Sequence, residues 1–102
     1  MKNANQILLE SIRESKFQSQ VIEAAEQLGW LIYHTQDSRR SRPGYPDLTL
    51  VKGARLIFAE LKTEKGKTSQ QQDVWLQALE DAGCSVFVWK PSQFEQIIKV
   101  LR

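Results

Sequence analysis

The stretch that decides the fold covers residues 46–63 and reads PDLTLVKGARLIFAELKT. Two runs rich in β-branched, aromatic and aliphatic residues, 47–51 and 55–63, lie on either side of a turn at Gly53. Short apolar runs separated by a glycine-containing turn are typical of a β-hairpin. The stretch therefore predicts two neighbouring strands that pair antiparallel.

The second of these strands ends in two opposite charges. Alternate side chains of a strand share a face, so Glu60 and Lys62 point to the same side. Pairing through the turn places Asp47 beside Ala59 or Glu60. Two carboxylates that lie so close together repel each other, and a divalent cation would remove that conflict. We therefore expect Asp47 and Glu60 to bind Mg²⁺ or Mn²⁺, because these hard ions prefer oxygen ligands.

A cation at this position has a chemical use. It could polarise a phosphoryl oxygen and lower the pKa of a water molecule, while Lys62 positions that water or stabilises charge on the phosphate. The Glu-x-Lys pattern is common by chance, and the alternative interpretation is an ordinary ion pair at a strand end. The context favours the metal site, because Asp47 follows a Gly-Tyr-Pro turn and basic loops flank both strands.

The rest of the chain predicts helices and strands on both sides of the hairpin. Its 102 residues suit one compact domain, which we expect to span residues 1–102. The order α-β-β-β-α-β-α predicts an α/β domain with a mixed sheet flanked by helices. The predicted elements are a helix over 6–28 with a break near 11–15, a strand over 30–35, a loop over 36–46, the two hairpin strands, a helix over 69–82, a strand over 85–90 and a helix over 92–101.

Composition excludes several classes of protein. The chain is 41% hydrophobic and 25% charged, which is ordinary for a globular domain. It has no apolar run near the roughly 20 residues that span a bilayer and no secretory signal pattern, so we expect a cytoplasmic protein. The lone Cys84 is interpreted as a small buried residue rather than a catalytic thiol. His34 is interpreted as a structural or edge histidine, and the three tryptophans as core residues.

Three segments together resemble a known family. Residues 43–48 (PGYPDL), 59–67 (AELKTEKGK) and 69–72 (SQQQ), followed by Trp75, are similar to the virus-type replication-repair nuclease (VRR-NUC) domain of the PD-(D/E)xK nuclease superfamily. The resemblance extends over about residues 14–101, and the chain looks like the stand-alone form found in phages and bacteria rather than a domain fused to larger repair proteins. It implies a restriction-endonuclease-like fold and a metal-dependent endonuclease that hydrolyses DNA phosphodiester bonds.

The resemblance also implies roles for single residues. Asp47 and Glu60 would bind the metal with the backbone carbonyl of Leu61, and Lys62 would be the catalytic lysine. Gln72 matches a recurrent glutamine of the family that contacts the water or the substrate. The pattern Ser-x-x-Gln that ends at Gln72 is also a capping box, and the two roles are compatible.

The family usually takes a further acid from the first helix, where Glu14, Glu23 and Glu26 are candidates. At about 100° per residue, Glu14 falls inside the apolar stripe of this helix, whereas Glu23 and Glu26 face water. An acid on a buried stripe needs a partner. We expect Glu14 to bind the metal, with Gln18 bordering the same site. The alternative is that Glu14 forms a capping box with Ser11.

Basic residues lie on both sides of the expected site. One group precedes Asp47 and a second follows Lys62. Contacts between such residues and phosphates position DNA without reading its sequence. We expect DNA contacts from Arg39, Arg40, Arg42, Lys65 and Lys67.

The sequence therefore predicts a divalent-metal-dependent DNA endonuclease that acts on branched or junction DNA in replication or repair. Because symmetrical cleavage needs two active sites, we also expect a homodimer. The alternatives are a restriction-type or single-strand-specific nuclease of the same superfamily, a non-catalytic DNA-binding module and a protein-interaction domain.

Overall fold

The computed structural model describes residues 1–36 and 42–102. Ile12 and Arg13 separate the first two helices, at the predicted break. Within the described ranges, no helix is long and apolar enough to cross a membrane. The elements are α1 (Ala4–Ser11), α2 (Glu14–Gln27), β1 (Leu31–His34), β2 (Leu48–Lys52), β3 (Arg55–Leu61), α3 (Gln70–Asp81), β4 (Ser85–Trp89), a 3₁₀ turn (Pro91–Gln93) and α4 (Phe94–Leu101).

The predicted hairpin is formed by β2 and β3. These strands pair antiparallel, with Leu48 opposite Ala59 and Leu50 opposite Ile57. Strand β1 pairs antiparallel with β2, and β4 pairs parallel with β3, so the strand order is β1-β2-β3-β4. The sheet is mixed and flanked by helices, as the order of elements predicts.

One face of the sheet packs against α2 and α4. Leu50 and Ile57 project to this face, because residues directly opposite each other in neighbouring strands share a face. Burial of one such aliphatic side chain contributes about 1.5–3 kcal/mol to folding. The buried cluster comprises Phe17, Val21, Ala25, Trp30, Leu48, Leu50, Ile57, Ala59, Leu61, Trp89, Ile97 and Leu101.

The opposite face of the sheet is covered at one end only. There Tyr45 packs edge-on against Phe58, with ring centroids 6.1 Å apart, and against Trp75 of α3, with centroids 5.0 Å apart. At the other end Leu31, Val51 and Leu56 form a cross-strand row whose side chains are exposed. The covered end is where β3 reaches Glu60 and is followed by Lys62.

Candidate metal centre and adjoining cleft

Three carboxylates from separate parts of the chain converge at the covered end of the sheet. Glu14 is the first residue of α2, Asp47 immediately precedes β2, and Glu60 is the penultimate residue of β3. Each offers one oxygen, and these oxygens all lie within 4.8 Å of one another. Like charges this close repel each other, so the cluster is stabilised by a bound proton or a cation.

Hairpin register brings Asp47 and Glu60 together, as the sequence predicts. The two residues extend the paired strands by one step beyond their last pair. The backbone N–H of Leu61 donates to Oδ2 of Asp47 at 2.8 Å, which fixes the orientation of that carboxylate. On the other side, the N–H of Thr35 donates to the Asp47 carbonyl at 2.8 Å. Asp47 is therefore held through both its side chain and its main chain.

The loop that precedes Asp47 packs directly against α3. Gly44 has a φ of 97°, a conformation that glycine adopts without steric cost. A Cβ atom built on Gly44 would lie 2.5 Å from the carbonyl oxygen of Gln71, well inside van der Waals contact. Both the backbone conformation and the close approach therefore require glycine here, and they fix the loop against the first turn of α3.

Glu60 is the most buried member of the cluster, with 1% of its surface exposed. Its Oε2 accepts a hydrogen bond from Nε2 of Gln72 at 2.9 Å and lies 3.2 Å from Nζ of Lys62. Its Oε1 is buried and has no hydrogen-bond partner among the residues that the structure describes. A buried polar atom without a partner costs roughly 1–3 kcal/mol, so this oxygen is open to a ligand.

The electrostatic environment of Glu60 disfavours its charged form in the metal-free protein. Burial raises the pKa of Glu60 from 4.5 to about 7, and the nearby charge of Asp47 adds to the rise. The ammonium group of Lys62 acts in the opposite direction and does not compensate. A hard divalent cation fits this set of donors, because it would ligate the unpaired oxygen and neutralise the repelling acids.

Gln72 forms the capping box that the sequence predicts and also contacts the carboxylate cluster. Its Oε1 accepts from the backbone N–H of Ser69 at 2.8 Å, and the Ser69 hydroxyl accepts from the Gln72 N–H at 3.2 Å, which forms a capping box at the start of α3. Its Nε2 meanwhile donates to Glu60. One amide therefore caps the helix and orients a carboxylate of the cluster.

Glu14 reaches the cluster but is not buried. It lies where the apolar stripe of α2 meets the solvent-exposed cleft, so the expectation of a buried acid is wrong in that respect. The alternative capping box is absent in this described region, since the Ser11 hydroxyl donates to the Leu8 carbonyl and Arg13 precedes α2 without a side-chain cap. Gln18, one turn further on, lines the same cleft.

Comparison with known proteins identifies the family of this chain. The sequence model of the VRR-NUC domain family matches residues 3–93, which is most of the chain. The chain belongs to the VRR-NUC domain family. This match confirms the resemblance found in the sequence. The family is a nuclease-type family.

Two solved structures are similar to this VRR-NUC domain. One, named "VRR_NUC domain", has 28% identity and a TM-score of 0.72, and the alignment covers 84% of this chain and 94% of that one. Another, named "VRR_NUC domain protein", shares the fold at 21% identity with a TM-score of 0.67, covering 87% of this chain and 90% of the other. No curated protein matched the sequence.

Three of the five basic residues that are expected to contact DNA lie in the described parts of this VRR-NUC domain. Arg42 is exposed and lines the cleft next to Asp47. Lys65 and Lys67 are exposed on the loop between β3 and α3, and Nζ of Lys65 lies 3.5 Å from Oε2 of Glu10 on α1. Arg39 and Arg40 fall outside the described residues.

The cleft beside the carboxylates has a volume of about 950 Å³ and an aromatic lining that the sequence pattern does not predict. Trp75 was expected in the core, but it is only partly buried and faces this cleft. The reason is its place on α3: Trp75 follows Gln72 by three residues, so both side chains lie on the same side of the helix. The three-residue spacing between Gln72 and Trp75 is the sequence feature that could have predicted this position of Trp75. His34, on the edge strand β1, also lines the cleft.

Proposed function

We propose that this VRR-NUC domain is a divalent-metal-dependent DNA endonuclease that hydrolyses phosphodiester bonds. The observation that carries the proposal is the buried, unpaired Oε1 of Glu60 within a cluster of three carboxylates. The ion pair with Lys62 engages Oε2 only and does not account for the burial of Oε1. Glu14, Asp47 and Glu60 would hold Mg²⁺ or Mn²⁺, and the Leu61 carbonyl is proposed as a further ligand.

The cation would supply positive charge that polarises the phosphoryl group and lowers the pKa of the attacking water. The chain's own groups would prepare the site for this reaction. Gln72 holds Oε2 of Glu60, which leaves Oε1 for the ligand. The Leu61 N–H holds one oxygen of Asp47 in the same way.

Lys62 is proposed to act on the scissile phosphate. Its ammonium group lies 3.2 Å from Glu60, and its side chain is only 15% exposed. Once the carboxylates have an additional positive charge beside them, this ammonium group can donate to a non-bridging phosphate oxygen or to the attacking water. Donors that are fixed in a partly dehydrated site stabilise developing charge strongly, by roughly 3–4 kcal/mol for one donor.

DNA would be positioned by phosphate contacts from the exposed basic residues. Arg42 lies on the loop before Asp47, to which Arg39 and Arg40 belong in sequence, and Lys65 and Lys67 lie on the loop after Lys62. Such contacts carry no sequence information, so we propose that the domain recognises branched or junction DNA by its structure. Cleavage of two strands needs two centres, so we also propose a homodimer. A fully active monomer in light scattering would contradict the dimer.

The decisive assay compares cleavage of four-way junctions, flaps, plain duplexes and single strands with Mg²⁺, with Mn²⁺ and with a chelator. We expect cation-dependent cleavage that is strongest on branched DNA. Lys62→Ala should abolish cleavage and leave DNA binding nearly intact, whereas Lys99→Ala, an exposed lysine of α4, should change neither. Wild-type protein that binds DNA and cuts no form of it with either cation would overturn the proposal and favour a non-catalytic DNA-binding module.

A further inference from the structure

Three aromatic side chains line the cleft, and the proposed hydrolysis uses none of them. Tyr33, Tyr45 and Trp75 contribute to its walls, together with Glu14 and Asp47 of the carboxylate cluster. Its volume of about 950 Å³ lies at the upper end of the range of roughly 300–1,000 Å³ that is usual for ligand sites. The space therefore extends well beyond what a cation and one phosphate group occupy.

One wall of the cleft is fixed in place. Tyr45 stands almost perpendicular to both of its aromatic neighbours, at interplanar angles of 90° to Phe58 and 76° to Trp75. The loop that carries Tyr45 is also held by the close approach of Gly44 to the backbone of α3. A wall that is already ordered costs little conformational entropy when a ligand packs against it.

The third aromatic side chain, Tyr33, lies on the neighbouring surface of the sheet. Tyr33 is opposite Thr49, and Thr49 is opposite Phe58, so all three project to the face of the sheet that bears the cleft. Tyr33 is 64% exposed although it belongs to a strand. An aromatic ring that remains in solvent next to a polar rim is available for stacking.

We infer that this cleft receives an unpaired nucleobase from the strand being cut, stacked against Trp75. The inference rests on the proposed nuclease function and names its substrate class: DNA with at least one unpaired nucleotide beside the scissile phosphate. In an intact duplex both faces of each base are already stacked, so only an unstacked base can pack against the aromatic wall. Arg42, on the rim of the cleft, is placed to contact the neighbouring phosphate.

The test measures binding rather than cleavage. Every protein carries Asp47→Asn, which removes one repelling charge and one proposed metal ligand, and all measurements are made in a chelator. Two labelled duplexes are compared by fluorescence anisotropy: one with a single bulged adenine, and one with an abasic residue at the same place. We expect about tenfold or greater preference for the bulged adenine, because stacking on an aromatic side chain contributes that much per base.

Substitutions at the wall separate stacking from general apolar contact. Trp75→Phe should keep most of the preference, and Trp75→Leu should lose it while leaving affinity for the abasic duplex unchanged. If circular dichroism shows that Trp75→Leu does not fold, Tyr33→Leu is measured instead. This variant should lower the preference for the bulged adenine. Equal affinity for both duplexes in the protein with the native wall, or no binding to either, overturns the inference.

The outcome of this experiment can be distinguished from the outcome for the proposed nuclease function. A native protein that cuts DNA while its Asp47→Asn form ignores the base would overturn the stacking inference alone. A protein that prefers the bulged adenine but never cuts DNA would support the stacking site and contradict the proposed activity.

Discussion

Replacing Glu60 by glutamine should stabilise the metal-free protein above neutral pH, even though it should abolish the proposed activity. The pKa of Glu60 is raised from 4.5 to about 7, so the folded protein holds this proton more tightly than the unfolded chain does. Stability from this group is therefore complete below about pH 4.5 and is lost as the pH rises through 7. Glutamine carries no charge to lose, and its amide oxygen can still accept from Gln72.

The size of the effect follows from the shift. Each pKa unit corresponds to about 1.4 kcal/mol, so the difference between 4.5 and about 7 sets a ceiling of about 3 kcal/mol at pH 8. For a domain of this length, about 2–3 kcal/mol raises the melting temperature by roughly 10 °C or more. Near pH 4.5 the gain should fall to about 0.4 kcal/mol, because Glu60 is then protonated in the folded protein and half protonated in the unfolded chain.

The assay is urea unfolding followed by tryptophan fluorescence, in a chelator, at pH 4.5 and pH 8. Glu23→Gln is the matched control, since Glu23 is an exposed acid of α2 outside the carboxylate cluster. Its free energy of unfolding should change by less than about 0.5 kcal/mol at either pH. If Glu60→Gln is no more stable than the native protein at pH 8, burial of an unfavourable charge at this position is refuted.

Three further predictions concern the same region. Mn²⁺ at about 100 times its dissociation constant should raise the free energy of unfolding by about 2.7 kcal/mol. Thermal unfolding should show that Asp47→Asn removes this gain. An equal gain in the variant would show that the cation binds elsewhere. Ser69→Ala and Gln72→Ala should each lower the free energy of unfolding by about 1 kcal/mol, because each removes half of the capping box. Only Gln72→Ala should also lose cleavage. Equal cleavage activity in the two variants would show that Gln72 acts only as a helix cap. Gly44→Ala should lower stability by more than Gly83→Ala, because the two glycines share nearly the same φ, 97° and 91°, and only Gly44 lies against another backbone. Similar losses in chemical unfolding would show that the loop moves away at little cost.

The parts of the site that depend on local pairing could be predicted from the sequence. A strand has a period of two, and a hairpin turn fixes its register, so the proximity of Asp47 and Glu60 follows from counting residues on either side of Gly53. The observed register brings these carboxylates together. Nothing beyond the hairpin itself is needed for this result.

Features that depend on how elements pack together were harder to predict. Helical periodicity placed Glu14 on an apolar stripe, yet the stripe ends at an open cleft and Glu14 is exposed. Periodicity assigned Trp75 to an apolar face without indicating whether that face meets the core or a cavity. The cleft is lined by residues of α2, β1, the loop before β2 and α3, and single-sequence patterns do not report how these elements are placed.

The double contact of Gln72 limits what this position can accept. A capping box functions equally well with glutamate or glutamine at its third helical residue. Glutamate here would set a fourth negative charge against a carboxylate that is already desolvated and crowded, whereas glutamine offers an amide donor. The start of α3 can therefore accept either glutamate or glutamine at residue 72. The contact with Glu60 accepts only glutamine, so the active-site contact, and not helix capping, determines the residue at this position.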